Sequence, residues 1–211
     1  MGRRPVSSTR SHWENVYRQK SVQDVSWYRP HLDRSLAWIA REASPSQPLV
    51  DVGGGASTLV DDLLLRGFDD ITVLDVSGEA LAASRQRLGP AAATVHWVEA
   101  DIAAWRPGRR YAVWHDRAVF HFMTTPAQQA AYLATLEAGT SPGALVIVAT
   151  FAPDGPEKCS GLPVQRYSAE TLAARLGDTF CLVDHAYETH TTPWQAAQRF
   201  CFGLFRRRPA G

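Results

Sequence analysis

One segment constrains this chain more than any other. The run from Leu49 to Ser57 reads LVDVGGGAS, and Leu74-Asp75-Val76 follows one strand-and-helix length later. An apolar strand enters a glycine turn that opens a helix, and a second strand ends on a carboxylate. Glycines at such a turn let the main chain pass close to a ligand, and an acid at the next strand end suits the paired hydroxyls of a ribose. The chain is therefore expected to be an α/β fold with a pocket for a nucleoside-containing cofactor.

The same alternation continues. Strands are expected at 49–52, 71–75, 95–98, 111–114 and 144–149. Helices are expected over 58–66, from Ser77 to the Gly89-Pro90 stop, and after Thr125-Pro126, the last presenting Tyr132, Leu133 and Leu136. Apolar strands alternating with helices argue for a parallel sheet covered on both faces. Phe180 to Tyr187 and Phe200 to Phe205 have no helix between them, so they are expected to pair antiparallel at one edge. Ahead of the sheet, residues 1–10 read as a loose tail. Ser11 to Glu14 has capping-box spacing for a short helix running toward Lys20, and Pro30 suits the first turn of a second helix carrying Leu32, Leu36 and Ile39. Residues 1–44 are thus expected to form a helical lid segment of one domain whose core is 45–211. The 151–167 loop, rich in Gly and Pro, lies past a strand's carboxyl end, where functional groups gather.

Charge and cysteine content narrow the function classes. The 211 residues carry 22 Lys and Arg against 21 Asp and Glu, so no basic stripe for nucleic acid is expected. Arg3, Arg4 and Arg206 to Arg208 read as solvated ends. No apolar run approaches the roughly 20 residues of a membrane span, and no apolar run follows the basic N-terminus as a secretory signal would require. Cys159, Cys181 and Cys201 are odd in number and widely spaced, which fits neither a disulfide framework nor a zinc site. No metal is expected; reduced thiols in a cytoplasmic monomer or weak dimer fit best.

The glycine turn itself discriminates between cofactors. Dinucleotide sites favour Gly-x-Gly-x-x-Gly, but Gly53-Gly54-Gly55 is followed by Ala56, Ser57 and Thr58, so the third glycine is missing. A phosphate-binding loop would need Gly-Lys-Ser/Thr. Asp51, two residues before Gly53, would repel a pyrophosphate and suits a cofactor that is cationic and lacks phosphate, such as S-adenosylmethionine. A nicotinamide oxidoreductase remains as an alternative if that charge argument fails.

With these residues in place, the chain resembles the class I S-adenosylmethionine-dependent methyltransferases over nearly its whole length, as a small single-domain member of the thiopurine and small-molecule type. Asp51, Gly53 and Gly55 match the family's first motif, with Ser57 where its third glycine usually stands. Asp75 matches the second and Asp101 the third. Asp116-Arg117-Ala118-Val119-Phe120-His121 looks like the fourth, and Pro142-Gly143 resembles the turn before strand five. The resemblance implies a Rossmann-like doubly wound sheet of seven mostly parallel strands, with an antiparallel C-terminal pair and helices on both faces. It implies Asp75 on the ribose with Val76 against adenine, Asp101 at the adenine amino group with Ile102 on the ring, and Asp116 near the sulfonium. Trp13, Tyr17, Trp27 and Tyr28 are well placed as an aromatic lid, as in that family, with Trp13, Tyr17 and Trp27 as cofactor contacts.

The expected chemistry is in-line displacement of a methyl group, leaving S-adenosylhomocysteine. Alignment and charge stabilisation would be the protein's main contributions. His121, Tyr17 or Asp116 are candidates to take a proton from the acceptor, and Arg117 could hold an anionic one. Methyl transfer from a sulfonium needs no enzyme nucleophile, so Cys159 reads as structural or ligand-binding despite its polar neighbours. His115 reads as a local packing or hydrogen-bonding group. The acceptor is expected to be a small molecule, with a thiol or other soft nucleophile leading. Alternatives are a protein lysine and a non-catalytic cofactor-binding module.

Overall fold

The computed structural model describes residues 6–19 and 21–209. Arg3, Arg4 and Lys20 lie outside the described residues. Nine strands and six α-helices follow in chain order: α1 (Val6–Gln19), α2 (Asp33–Glu42), β1 (Leu49–Val52), α3 (Leu59–Leu65), β2 (Ile71–Asp75), α4 (Gly78–Leu88), β3 (Val95–Glu99), β4 (Tyr111–Arg117), α5 (Pro126–Gly139), β5 (Thr140–Phe151), β6 (Lys158–Cys159), β7 (Leu162–Pro163), α6 (Ala169–Leu176), β8 (Phe180–Thr191) and β9 (Ala197–Arg207). Seven strands form one sheet in the order β3-β2-β1-β4-β5-β9-β8, and β6 and β7 make a separate two-stranded pair. β3 through β5 run parallel, while β9 is antiparallel to both β5 and β8. This is the expected Rossmann-like methyltransferase architecture.

Alternation along the strands divides the core between the two faces. Leu49, Val73, Val113 and Ile147 pack with Leu36, Ile39, Leu59 and Leu63 of α2 and α3. Their neighbours Val50, Leu74, Trp114 and Val146 pack with Tyr132 and Leu136 of α5 and Leu172 and Leu176 of α6. A sheet buried on both faces needs this near-continuous apolar sequence, which is how β1, β2 and β5 read.

Three N-terminal expectations are corrected. α1 begins at Val6, inside the stretch read as a tail, so Ser11 is mid-helix. Glu14 does not close a capping box; its Oε1 accepts the Gly78 N–H at 2.7 Å, at the start of α4. A carboxylate at a helix N-terminus satisfies an otherwise orphaned donor and complements the dipole. Pro30 lies ahead of α2, which starts at Asp33 after Leu32. Both α5 and α6 open on reciprocal caps: Thr125 with Gln128, at the expected start, and Ser168 with Thr171. The C-terminal arginines are tied down rather than free, Arg206 to Glu42 at 2.6 Å and Arg207 to the Glu137 carbonyl at 2.5 Å.

Candidate active site

In an open α/β sheet the ligand crevice lies beyond the carboxyl ends of the strands, where the strand order reverses. Here that point is between β1 and β4. A cleft enclosing about 750 Å³, its open mouth included, runs across these ends. Asp75, Val76, Ala100, Asp101 and Ile102 line one end; Arg117, Val119, Phe122, Met123 and Cys159 line the other, with Trp13, Tyr17 and Trp27 on the lid side. A second chamber, sharing Tyr17, Trp27, Gly53 and Arg117 with the first, reaches Asp51, Ser57 and Arg29.

The glycine turn is built by close approach. Gly53 has φ +70°, and a Cβ there would stand 2.1 Å from Val119 Cγ2; a Cβ on Gly54 would meet Asp51 Oδ2 at 2.3 Å, and one on Gly55 would meet Asp75 Oδ2 at 2.5 Å. Ser57, at the missing third glycine, accepts the Leu59 N–H through Oγ at 3.1 Å and so starts α3, which glycine could not do.

Asp75 ends β2 with both oxygens engaged: Oδ2 accepts Gly55 N–H at 3.0 Å and Oδ1 accepts Ser77 N–H at 2.9 Å. Burial raises its pKa to about 6 against these hydrogen bonds, with Asp51 adding to the rise. Each carboxylate oxygen has further lone-pair capacity, so the side chain that orders the turn still presents acceptors to the cleft. Asp101 Oδ1 accepts Ala103 N–H at 2.9 Å, holding the turn after β3.

Asp51 sits on the adjacent strand, paired in register with His115 of β4. Its Oδ1 lies 2.7 Å from His115 Nδ1, and His115 Nε2 lies 2.8 Å from Ser35 Oγ on α2. All three are buried. Asp51 Oδ2, beneath Gly54, has no hydrogen-bond partner among the described residues. An orphaned buried carboxylate oxygen is costly unless a donor arrives. His115, read from sequence as a local group, instead spans three elements.

β4 ends in a tight turn. Ala118 adopts φ +73°, strained for a residue with a Cβ. Asp116 stabilises that turn: it accepts the Val119 and Phe120 N–H groups and, at 2.6 Å, the Tyr132 hydroxyl. It is fully buried and does not line the cleft. Burial pushes its pKa up to about 6, opposed first by the Tyr132 bond. The structure therefore gives Asp116 a turn-holding role in place of the expected contact with cofactor and acceptor. His121 is likewise away from the cleft, wedged against Phe122 and Phe151 with both ring nitrogens unpartnered among the described residues. Burial, then Arg117, lowers its pKa to about 3, so it is neutral. Tyr17 does face the cleft, but burial and then Asp75 raise its phenol far above the ordinary value, making it a poor base.

Arg117 points between the two chambers. One guanidinium nitrogen donates to the Trp27 carbonyl at 3.0 Å, and the group lies 4.7 Å over the Phe200 ring. It forms no ion pair with any described residue. Cys159 is buried at the cleft wall, and burial drives its thiol up to about 12, so it is protonated and unreactive. Phe122, Met123 and Arg29 carried no sequence signal, whereas Ala118 and Val119 lie within the 116–121 motif; all five reach the site through the β4 turn and the lid.

The comparisons agree with this geometry. Residues 49–143 match the family described as a methyltransferase domain. Residues 49–143 thus carry the methyltransferase-domain match. A comparison with curated proteins finds no match. Among solved structures, the chain is similar to one described as conversion of a disulfide bond into a thioacetal group during echinomycin biosynthesis (18% identity, 94% of this chain and 92% of the other, TM-score 0.75). It is also similar to the 1,6-didemethyltoxoflavin N1-methyltransferase of Burkholderia thailandensis (18% identity, 96% and 85%, TM-score 0.67) and to a methyltransferase from Anabaena variabilis (14% identity, 95% and 95%, TM-score 0.70). At these identities the likeness is one of fold. No helix among the described residues is long and apolar enough to cross a membrane.

Proposed function

We propose that the chain transfers the methyl group of S-adenosylmethionine to a small-molecule acceptor by in-line displacement. The observation that carries this is the cleft: acids at the ends of β2 and β3, an aromatic lid, and an apolar far wall. Asp75 is suited to the ribose hydroxyls, Val76 and Ile102 to the adenine faces and Asp101 to its amino group. Asp51 Oδ2 fits an ammonium donor, as its lack of any other partner requires. Gly53 and Gly55 leave the main chain bare beside the cofactor. The bound group supplies a methyl already activated by positive sulfur.

The protein's part is alignment and exclusion of water. Residues 1–44 act as the lid of the domain. Glu14 on α4, Arg18 on Glu79 at 2.9 Å, and edge-on contacts of Trp13 with Trp27 and Phe122 hold it down over the cleft. Trp13, Tyr17 and Trp27 close over the reacting atoms. Apart from Arg117 the far wall is apolar, which suits a small acceptor. Two solved structures of this fold are described as a 1,6-didemethyltoxoflavin N1-methyltransferase and a glycopeptide N-methyltransferase.

The experiment is turnover: S-adenosylhomocysteine formation with panels of small thiols, acids, phenols and amines, beside lysine peptides. Small-molecule turnover supports the reading. Turnover of lysine peptides alone would replace the acceptor class, and tight cofactor binding without any turnover would favour a binding module.

A further inference from the structure

Arg117 and the residues around it define the acceptor end more narrowly, on the basis of the methyltransferase reading above. If adenosine lies over β2 and β3, the methyl group is presented over β1 and β4, and the acceptor must occupy the space beside Arg117, Val119, Phe122, Met123 and Cys159. A guanidinium there has no carboxylate partner among the described residues. A partly buried guanidinium with no ion-pair partner favours an anion beside it.

Of the described carboxylates Asp51 alone attracts that charge, and it does so without an ion-pair contact. Arg29 on the lid segment is already paired with Glu188 of β8. Asp51 on β1 is engaged by His115. Cys159 on β6 is a neutral thiol. His190 of β8 gives Nε2 to the Ser26 carbonyl at 2.7 Å, and burial followed by Arg117 lowers its pKa to about 4; His121 is neutral for the same reasons. At this end of the cleft Arg117 is the one charged side chain among the described lining residues, which disfavours a protonated amine. At the same end no described side chain is a usable base: Asp116 and His121 are turned away, and Tyr17 and Cys159 hold their protons.

We infer that the acceptor is a small apolar acid whose attacking atom, a thiolate or carboxylate, is already an anion in solution, and that Arg117 captures it. The acceptor's lone pair forms the new bond to the methyl carbon. The electron pair of the broken carbon–sulfur bond stays on the cofactor's sulfur. The negative charge of the acceptor and the positive charge of the sulfonium cancel, and no proton leaves the reacting atom.

The test has a binding arm and a kinetic arm. Benzoate titrated calorimetrically into the S-adenosylhomocysteine complex should bind the wild type and lose at least about tenfold in affinity in Arg117→Gln, with partial recovery in Arg117→Lys. S-adenosylhomocysteine and 5′-methylthioadenosine should bind both proteins within about threefold of each other's wild-type values, with unchanged melting curves showing that the variant folds. If Arg117→Gln weakens S-adenosylhomocysteine at least tenfold but spares methylthioadenosine, the guanidinium serves the cofactor's own carboxylate and the inference falls. In turnover, kcat/KM across a series of ring-substituted thiophenols should rise with pH through each thiol's own ionisation. One pH midpoint common to all of them would reveal a protein base and overturn the inference, as would benzoate failing to bind or benzylamine outperforming every acid. Failure of the wild type to bind S-adenosylhomocysteine at all would instead strike the methyltransferase reading itself.

Discussion

The two ends of the cleft are built on opposite plans. At the β1–β3 end, carboxylates are held by main-chain donors: Asp75 by Gly55 and Ser77, Asp101 by Ala103. At the β4–β5 end the carboxylate, Asp116, is spent on the turn, and an unpaired guanidinium faces apolar and aromatic walls. The first end is rigid and acidic, the second apolar and cationic. On the proposed reading, cofactor recognition is written into the strand ends themselves, whereas acceptor recognition depends on where a strained turn and a lid throw their side chains.

The sharpest way to break this comparison is at Asp75. Asp75→Asn removes the charge and disturbs the acceptors for two buried N–H groups, so S-adenosylhomocysteine affinity should fall about a hundredfold or more; calorimetry retaining near wild-type affinity would contradict the cofactor-end assignment. Gly53→Ala should cost about 2–4 kcal/mol of stability, because it combines positive φ with a 2.1 Å approach to Val119, read as a lowered denaturant midpoint.

His115→Ala should follow, lowering stability by about 2–3 kcal/mol and weakening cofactor binding by leaving Asp51 and Ser35 unpaired in the interior. Tyr132→Phe sharpens the comparison from the other side: it should cost about 1–2 kcal/mol through Asp116 yet leave cofactor affinity unchanged. Cys159→Ser should have the smallest effect, with turnover retained and iodoacetamide labelling of the wild-type thiol slow.

Acidity adds a signed prediction. On the proposed reading Asp75 serves the ribose in its charged form, and its pKa is raised to about 6, so cofactor affinity should decline as pH falls through 6. Folding stability responds the other way at this group. A carboxyl whose folded pKa is raised contributes stability that is complete below its ordinary value of 3.8 and lost as pH rises through about 6; Asp116 contributes in the same sense. Affinity and apo stability should therefore move in opposite directions across that window in matched calorimetry and melting series.

Much of this was legible in the sequence, and the reasons are physical. The strand–helix alternation, the glycine turn and the acid ending β2 are local patterns with one periodicity each, so β2 runs from Ile71 to Asp75 as expected. The start of α1 was not legible, because its support comes from Glu14 at Gly78 and Arg10 at Glu99, contacts distant in sequence. Asp116 was misplaced because sequence shows which residue ends a strand region but not which way its side chain turns; the left-handed Ala118 decides that, and alanine gives no warning of it. The Asp51–His115–Ser35 chain needs the β1–β4 register and the docking of α2, neither of which spacing reveals.

The central claim is that the acidic end of this cleft binds the nucleoside of S-adenosylmethionine. Titration calorimetry of S-adenosylhomocysteine into the wild type and Asp75→Asn at neutral pH tests it most directly. One-to-one binding by the wild type, weakened about a hundredfold in the variant while NADH gives no heat with either, is the predicted result. Equal affinity in the two proteins, or binding of NADH in preference to S-adenosylhomocysteine, would contradict it.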